Sequence, residues 1–294
     1  MRRLLAAVLG CLALAACSGH QTGAATAPAG ADTAAPSAAS PASGGQRPDH
    51  VVVVVMENHA YGDVLASPAA PWVNGLPAAV FTNWYAVTHP SQPNYLALFS
   101  GSTHDVTDDG CPLAIQAPSL ASQLLSAGLT FTGYAEGLPR PGDPVCASGD
   151  YARKHAPWTD FTGLPASVGQ PLSAFPSDYA RLPTVAFVIP DLCHDTHNCS
   201  VAVGDRWLSA QLGAYVSWAR IHNSLLLLTY DEDDNGAGNH ILTVVAGAGV
   251  VPGRYGVRGD HYTLLRTLES LYGLPPLGAA ADRSSVQPVW SRGS

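Results

Sequence analysis

The sequence of 294 residues carries 14 basic and 22 acidic side chains, a formal net charge of −8. With no Lys/Arg cluster to neutralise a phosphate backbone, the chain is a poor nucleic-acid binder, although a small phosphorylated ligand is not excluded, because one bound cation can dominate a local field. Beyond its first residues, no segment approaches the run of about 20 apolar residues that a membrane span requires.

The chain opens with Met1-Arg2-Arg3 and an apolar run from Leu4 to Ala16. A short basic start before a run too short to span is the anatomy of a secretory signal peptide, expected over residues 1–16. The run ends Leu14-Ala15-Ala16-Cys17, followed by Ser18-Gly19. Small residues before that cysteine resemble a bacterial lipobox, with Cys17 acylated and the protein anchored to the membrane by lipid. Ordinary cleavage near Ala16, with Cys17 incidental, is the alternative. One acyl signal holds weakly and several hold firmly. Residues 17–47 are almost entirely Ala, Gly, Ser, Thr and Pro, a composition that cannot offset its ordering entropy and reads as a tether. Residues 48–294 remain, a length that suits a single large α/β domain.

Within that domain, His50–Met56, Val80–Ala86, Thr130–Ala135, Thr184–Ile189 and Ser224–Tyr230 are apolar, β-branched-rich runs expected as buried strands, with a sixth at Ile241–Ala246. Near-continuous hydrophobicity without alternation is the pattern of a mainly parallel sheet covered by helices on both faces. Helical spacing of apolar residues predicts helices over Ser119–Ser126, over Arg206–Ile221 with Asp205 or Gly204 at its start, and over His261–Tyr272, closed by Gly273 and Pro275. Strands alternating with helices indicate an α/β fold. Of the six cysteines, Cys11 lies in the signal peptide and Cys17 at the lipobox. An even remainder in an exported chain reads as two disulfides. The short loop favours Cys193–Cys199, which leaves Cys111–Cys146; zinc ligation is the rival, without a CxxC pair to support it.

Chemistry-bearing residues follow the strands. The first strand runs into Glu57-Asn58-His59, and the fifth into Asp231-Glu232-Asp233-Asp234. Buried carboxylates at strand ends repel one another unless a cation or protons intervene, so the two clusters make either an oxygen-ligand metal site or separate solvated loops. The second strand leads into Thr88-His89-Pro90-Ser91-Gln92-Pro93-Asn94-Tyr95 and an apolar helical stretch, Leu96–Phe99. Two prolines pin that turn and present Ser91 near a helix N-terminus, where free N–H groups and the helix dipole favour an anion. A serine between a cation and such donors is arranged to attack phosphorus, since metal coordination lowers the hydroxyl pKa; taken alone, a serine in a Pro-rich turn reads as simply a turn.

Taken together, Glu57-Asn58, His89-Pro90-Ser91-x-Pro93-Asn94-Tyr95 and Asp231-Glu232-Asp233-Asp234 resemble the signature of the bacterial acid phosphatase/phospholipase C phosphoesterases, part of the alkaline phosphatase superfamily. The likeness continues through Tyr134-Ala135-Glu136, Tyr151-Ala152-Arg153-Lys154-His155-x-Pro157-Trp158, Asp195-x-His197, Gly204-Asp205-x-Trp207-Leu208 and His261-Tyr262. It therefore covers essentially the whole folded domain in order. The resemblance implies an alkaline-phosphatase-like fold and hydrolysis of phosphate monoesters through a phosphoserine, on a phosphorylated small molecule or a phospholipid headgroup such as a phosphoinositide. It implies a divalent metal ion held by Glu57, Asn58, Asp231 and Glu232, with Ser91 completing the sphere. Asn94 would bond a phosphoryl oxygen. His197 and His261 would stabilise charge or protonate the leaving oxygen, and Asp195 would orient a histidine or join a second metal site. His89, His104 and His155 are weaker candidates for the site. His59-Ala60, Tyr230, Asp191 and Thr196 depart from what relatives often carry, without removing an implied ligand. A protonated histidine would favour an optimum on the acid side of neutrality. The rival readings are a phospholipase C-type phosphodiesterase, a non-catalytic binding protein and a sulfatase. The domain is short for the family's lipases, no ligand is missing, and the context of Ser91 differs from that of a sulfatase.

Overall fold

Five consecutive valines, Val51–Val55, cannot settle into a helix without crowding their branched side chains, and they favour extended backbone. They form the centre of β1 (His50–Met56), and all five are 0–1% exposed, so this strand is covered on both faces. The computed structural model describes residues 47–290; the expected signal peptide, the Cys17 lipobox and all but the last residue of the tether lie outside the described residues.

The further strands are β2 (Ala78–Tyr85), β3 (Phe131–Ala135), β4 (Ala147–Ser148), β5 (Tyr151–Ala152), β6 (Gly169–Pro171), β7 (Val185–Ile189), β8 (Ser224–Tyr230), β9 (Thr243–Gly247) and β10 (Gly253–Asp260). The helices are α1 (Tyr61–Val64), α2 (Pro71–Gly75), α3 (Ser91–Ser100), α4 (Leu120–Ser126), α5 (Val201–Ala219), α6 (His261–Tyr272) and α7 (Gln287–Trp290). Eight strands form one sheet in the order β10-β2-β9-β8-β1-β7-β3-β6, and β4 pairs with β5 as a small hairpin. Only β9 runs antiparallel, to both β2 and β8; the other pairings in the large sheet are parallel. Helices α3, α4 and α6 pack together, whereas α5 packs with α2 and against β8 and β9. The expected mainly parallel α/β sheet is therefore present.

Parallel order has a consequence for function. The C-terminal ends of β1, β2, β3, β7, β8 and β10 all lie on one edge of the sheet, which is where such sheets collect their ligands. Those ends lead into Glu57, the Thr88–Ser91 turn, Glu136, Asp191–Asp195, Asp231 and His261 respectively.

Boundaries differ from expectation where tertiary partners decide them. β2 begins at Ala78, two residues early, because Ala78 and Ala79 pair with Ala246 and Val245 of β9. Strand β10 is absent from the sequence reading: Gly-Arg-Tyr-Gly-Val-Arg-Gly-Asp has no apolar run, and an edge strand paired only with β2 needs none. Helix α5 starts at Val201, not Arg206. Asp205, expected at its start, instead accepts the N–H groups of Trp72 and Val73 at 3.0 and 2.9 Å, capping α2 from a neighbouring element. Both expected disulfides are formed, Cys111–Cys146 and Cys193–Cys199, which sets aside the zinc alternative.

The close approach of Trp158 to β3 offers a test of this packing. A Cβ added at Gly133 would lie 2.3 Å from the Trp158 ring. Overpacking of a filled core costs about 1–3 kcal/mol, so Gly133→Ala is expected to lower the urea midpoint accordingly. An unchanged midpoint would mean that the indole is free to move.

Candidate active site

The turn after β2 enters α3 at Ser91, the first helical residue, and the helix closes on Gly101 in the left-handed region at φ 75°. An entirely buried α3 places the Ser91 hydroxyl inside the protein, with the residue only 2% exposed. Its Oγ donates to Glu57 Oε2 at 2.9 Å, and the Tyr95 hydroxyl, one helical turn on, donates to Glu57 Oε1. Glu57 thus receives two hydroxyls from one helix face.

Asp231 reaches the same place from the neighbouring strand β8. Its Oδ1 accepts the N–H groups of Asn58 at 3.0 Å and Glu232 at 2.6 Å, while its main-chain N–H donates to Met56. The loop after β7 contributes Asp195, whose Oδ1 accepts the His197 N–H at 2.7 Å and whose carbonyl accepts the Glu57 N–H. Between Glu57 and Asp195 stands His155. Its Nε2 lies 3.2 Å from Glu57 Oε1 and its Nδ1 lies 3.4 Å from Asp195 Oδ2, and its ring stacks on Tyr95 with centroids 5.0 Å apart. Two neighbours hold strained backbone: Asn58 at φ 54° and the β-branched Thr196 at φ 84°. Such conformations persist only when the surroundings over-determine them. Thr196 is held by its hydroxyl, which donates to the Glu57 carbonyl at 2.9 Å.

Electrostatics at this edge are unfavourable as they stand. Burial, reinforced by the Asp231 and Asp195 charges, holds Glu57 well above the ordinary carboxylate range. Burial pushes Asp195 up to about 8 and Asp231 up to about 6. Glu232 is pushed up to about 8 by burial and then by the Asp231 charge. His155 cannot neutralise them, because burial, with the Lys154 charge adding, drives it well below its usual value. A neutral imidazole has a single N–H, so one His155 nitrogen must face a carboxylate with a lone pair. Asn58 Oδ1, Asp195 Oδ2, Asp231 Oδ2 and His155 Nε2 are buried without a hydrogen-bond partner.

A cation resolves this arrangement. Glu57, His155 and Asp195 each offer a buried ligand atom, and these atoms lie within 4.8 Å of one another. With Asn58 Oδ1 and Asp231 Oδ2 unpartnered beside them, the donor set is oxygen-rich with one imidazole nitrogen, which suits a divalent ion. A second group, Glu136, Asp191 and His194, is half-buried and satisfies itself: Glu136 accepts from the Asp191 N–H and from the Trp207 indole and lies 3.0 Å from His194 Nδ1.

The expected residues divide accordingly. Glu57, Asn58, Ser91, Asp195 and Asp231 come together. Glu232 is adjacent, with Oε2 accepting from the Asn94 amide at 3.1 Å and lying 3.1 Å from His89 Nδ1. The Asn94 side chain is occupied by its own turn, with Oδ1 accepting from Val87 and Thr88 and Nδ2 donating to the Thr88 carbonyl. His261 lies buried beneath Asp231, its Nε2 donating to the Asp231 carbonyl at 2.6 Å; burial lowers its pKa, and Nδ1 has no partner. His197 stands exposed at the rim, with Nδ1 2.8 Å from Asn198 Oδ1. Asp233, for which a solvated loop was one of the two readings, is buried. Burial alone would raise its pKa, but the N–H groups of Asn239, Ala237 and Asn235 and the His89 ring hold it low.

Residues 72–275 match the Phosphoesterase family. The chain belongs to that family. It is 48% identical over 246 residues to the phosphatidylinositol-3-phosphatase of Mycobacterium tuberculosis, covering 82% of each chain. It is 28% identical to an acid phosphatase of Aspergillus fumigatus, an alignment that covers 76% of this chain and 55% of the fungal protein. Among solved structures, a phosphonate monoester hydrolase from Silicibacter pomeroyi is similar at a TM-score of 0.57 and 13% identity, over 84% of this chain and 77% of that one. A Vibrio parahaemolyticus protein of the alkaline phosphatase superfamily is similar at a TM-score of 0.53 and 15% identity, over 78% and 67% of the two chains. Those two likenesses bear on the fold, which is alkaline-phosphatase-like as expected. As a family member, the chain is a hydrolase of phosphate esters.

Three contributors to this phosphoesterase site are faint in the sequence: His155 and His89 stand there only as weaker candidates, and Tyr95 has no role of its own. His155 was weighed no higher than His89 and His104, because its segment follows no long strand; it sits in a short turn after the β4–β5 hairpin. Tyr95 closes the motif that begins at His89, but the resemblance gives it no role. His89 joins Glu232 to Asp233 at 3.1 Å each, a role visible only once the β2 and β8 ends are adjacent. His104, by contrast, bonds Ser100, and His59 faces Asp63 at 3.9 Å, outside the cluster.

The raised carboxylates set a stability profile for metal-free protein. Groups whose folded pKa lies above the unfolded value contribute fully below about pH 4 and lose that contribution as pH rises. For Asp195 and Glu232 the loss continues through about 8. Thermal unfolding after exhaustive chelation is therefore expected to show a melting temperature that falls between about pH 5 and 8.5. Added divalent cation should restore it, more at the alkaline end. A melting temperature indifferent to both pH and cation would remove the argument for a metal.

Proposed function

We propose that this phosphoesterase is a divalent-metal-dependent phosphomonoesterase with Ser91 as its nucleophile. The observation that carries the reading is the buried Ser91 hydroxyl, aimed at Glu57 among carboxylate and carboxamide oxygens that lack partners. Glu57, Asn58, Asp231 and Ser91 would hold the ion, with His155 and Asp195 as further ligands and Glu232 joining if it leaves Asn94. When bound, the ion supplies charge neutralisation for the phosphoryl oxygens and lowers the pKa of the serine hydroxyl.

In the reaction proposed, Ser91 Oγ attacks phosphorus as its proton passes towards Glu57 Oε2, its present hydrogen-bond acceptor. The ester P–O bond breaks, leaving a phosphoserine and an alcohol, and water then attacks phosphorus to release phosphate and regenerate the hydroxyl. His197, exposed and held through Nδ1 by Asn198, would donate a proton from Nε2 to the leaving oxygen, and Asp195 positions its backbone. His261 acts below the site, since its protonated Nε2 is committed to the Asp231 carbonyl. Asn94 would meet a phosphoryl oxygen through the amide hydrogen it now gives to Glu232.

For the substrate, the 48% identity to a phosphatidylinositol-3-phosphatase supports a phosphoinositide or similar phosphorylated headgroup. Export fits the same reading: two disulfides suit an oxidising compartment. No helix among the described residues is long and apolar enough to cross a membrane. We propose residues 1–16 as a signal peptide, Cys17 as a lipid-anchored N-terminus and 17–47 as the tether to a domain over 48–294.

Ser91→Ala is expected to reduce kcat on p-nitrophenyl phosphate by about 10³-fold or more, as losses of nucleophiles in other hydrolases do, with an unchanged melting temperature. Activity within tenfold of wild type would sink the assignment. A parallel panel of phosphatidylinositol 3-phosphate and phosphatidylcholine separates monoester from diester hydrolysis; preference for the diester would replace this reading by a phospholipase C type. Chelation should abolish monoester turnover and added divalent cation restore it.

A further inference from the structure

Lys154 is the only lysine in the sequence, and it stands beside this site with no role assigned so far. Its Nζ donates to Asp109 Oδ2 at 2.7 Å. The other oxygen of that carboxylate, Oδ1, accepts the Gln92 N–H at 3.0 Å. One carboxylate therefore bridges the lysine and the backbone amide of the residue that follows the nucleophile. That amide belongs to the first turn of α3, where N–H groups have no intrahelical acceptor. An ammonium and a free helix N–H are also the donors that hold phosphoryl oxygens.

The two sides of the bridge are anchored unequally. Lys154 is 19% exposed and lies between Arg153, which is tied to Asp160, Thr159 and the Pro144 carbonyl, and the buried His155. Asp109 has a side chain 31% exposed, on the segment between Gly101 and Ile115 that forms no helix. Turning Asp109 out to water would leave both donors in place next to Ser91.

We propose that Lys154 Nζ and the Gln92 N–H form a phosphoryl-oxygen site for the reaction, and that Asp109 is an internal carboxylate holding that site until substrate displaces it. The inference rests on Ser91 being the nucleophile of a phosphoesterase. A phosphomonoester dianion brings two charges to donors that Asp109 meets with one, so the exchange favours the substrate. The competition lowers apparent phosphate affinity by the fraction of molecules in which Asp109 is released.

The experiment titrates inorganic phosphate as an inhibitor of p-nitrophenyl phosphate hydrolysis. Asp109→Asn should lower the Ki for phosphate by about three- to tenfold, the range expected if the open form is a minor population. Asp108→Asn, the same charge change one residue away on an exposed acid, should leave Ki unchanged. Lys154→Gln should raise Ki, and the gain from Asp109→Asn should vanish in the Lys154→Gln background, because the two groups act on one site. Reductive methylation with ¹³C-formaldehyde labels one ε-amine, and its NMR signal should move on addition of phosphate and, without phosphate, in Asp109→Asn. Equal effects of Asp108→Asn and Asp109→Asn, an unchanged Ki in Lys154→Gln, or a static ¹³C signal would each overturn the inference. If wild type fails to hydrolyse any phosphomonoester, the functional reading fails first. If it turns over and these variants behave as wild type, only the role of Lys154 and Asp109 is lost.

Discussion

Four carboxylates converge on one edge of a sheet with too little positive charge to match them, and most of the site follows from that constraint. Glu57, Asp195 and Asp231 are at most 1% exposed and Glu232 is 5% exposed. Isolated buried charge costs far more than a fold can spare, so such groups keep protons or take a cation. As they stand, Asn58 Oδ1, Asp231 Oδ2 and His155 Nε2 are also without partners. A divalent ion satisfies both the charge and the lone pairs. The scaffold accepts this frustration because its β1, β7 and β8 strands are fixed by their own apolar burial, not by the site.

Rigidity at that edge comes from several directions. Parallel pairing of β1 with β7 and β8 sets the starting points of the Glu57, Asp191–Asp195 and Asp231 segments in one register. The Cys193–Cys199 bridge closes a short loop around Asp195, and Thr196 ties that loop back to the Glu57 carbonyl. His261 supports Asp231 from below through its carbonyl. A ligand site needs such support, since small misplacements of first contacts cost large factors in rate.

Much of this was legible in the sequence, for a physical reason. A strand buried on both faces must be apolar along its length, so the residues that break the pattern mark its end, and β1 and β8 were bounded to the residue in this way. Glu57, Asn58, Ser91 and Asp231 are such pattern breaks. The turn between β2 and α3 was equally readable, because proline restricts it locally. What showed weakly or not at all were groups delivered by irregular chain. His155 rides a short turn, Asp109 a loop, and β10 an exposed glycine-rich edge; none has a periodic neighbour to announce it. Lys154, the one lysine beside 13 arginines, lies on the same kind of irregular chain and had no pattern to single it out. Glu232 and Asn94 show a further limit: the sequence places both at the site, but which partner each side chain takes depends on His89, brought in from another strand end.

The burial of Ser91 also bears on how an acidic protein can handle an anionic substrate. At a net charge of −8 the chain as a whole repels a phosphate dianion at long range, so its net charge gives the encounter no steering. Salt at physiological strength confines that repulsion to about 8 Å. Attraction must therefore be short-ranged, supplied by donors that the substrate meets only after entering. A buried serine suits this regime, because low local polarity strengthens each nearby charge and hydrogen bond. It also keeps bulk water from competing with the hydroxyl for phosphorus. Selectivity then resides in what reaches the edge of the sheet. For a protein tethered by lipid, as proposed for Cys17, the relevant concentration is that of phosphorylated headgroups within reach of the tether, and proximity takes the place of steering.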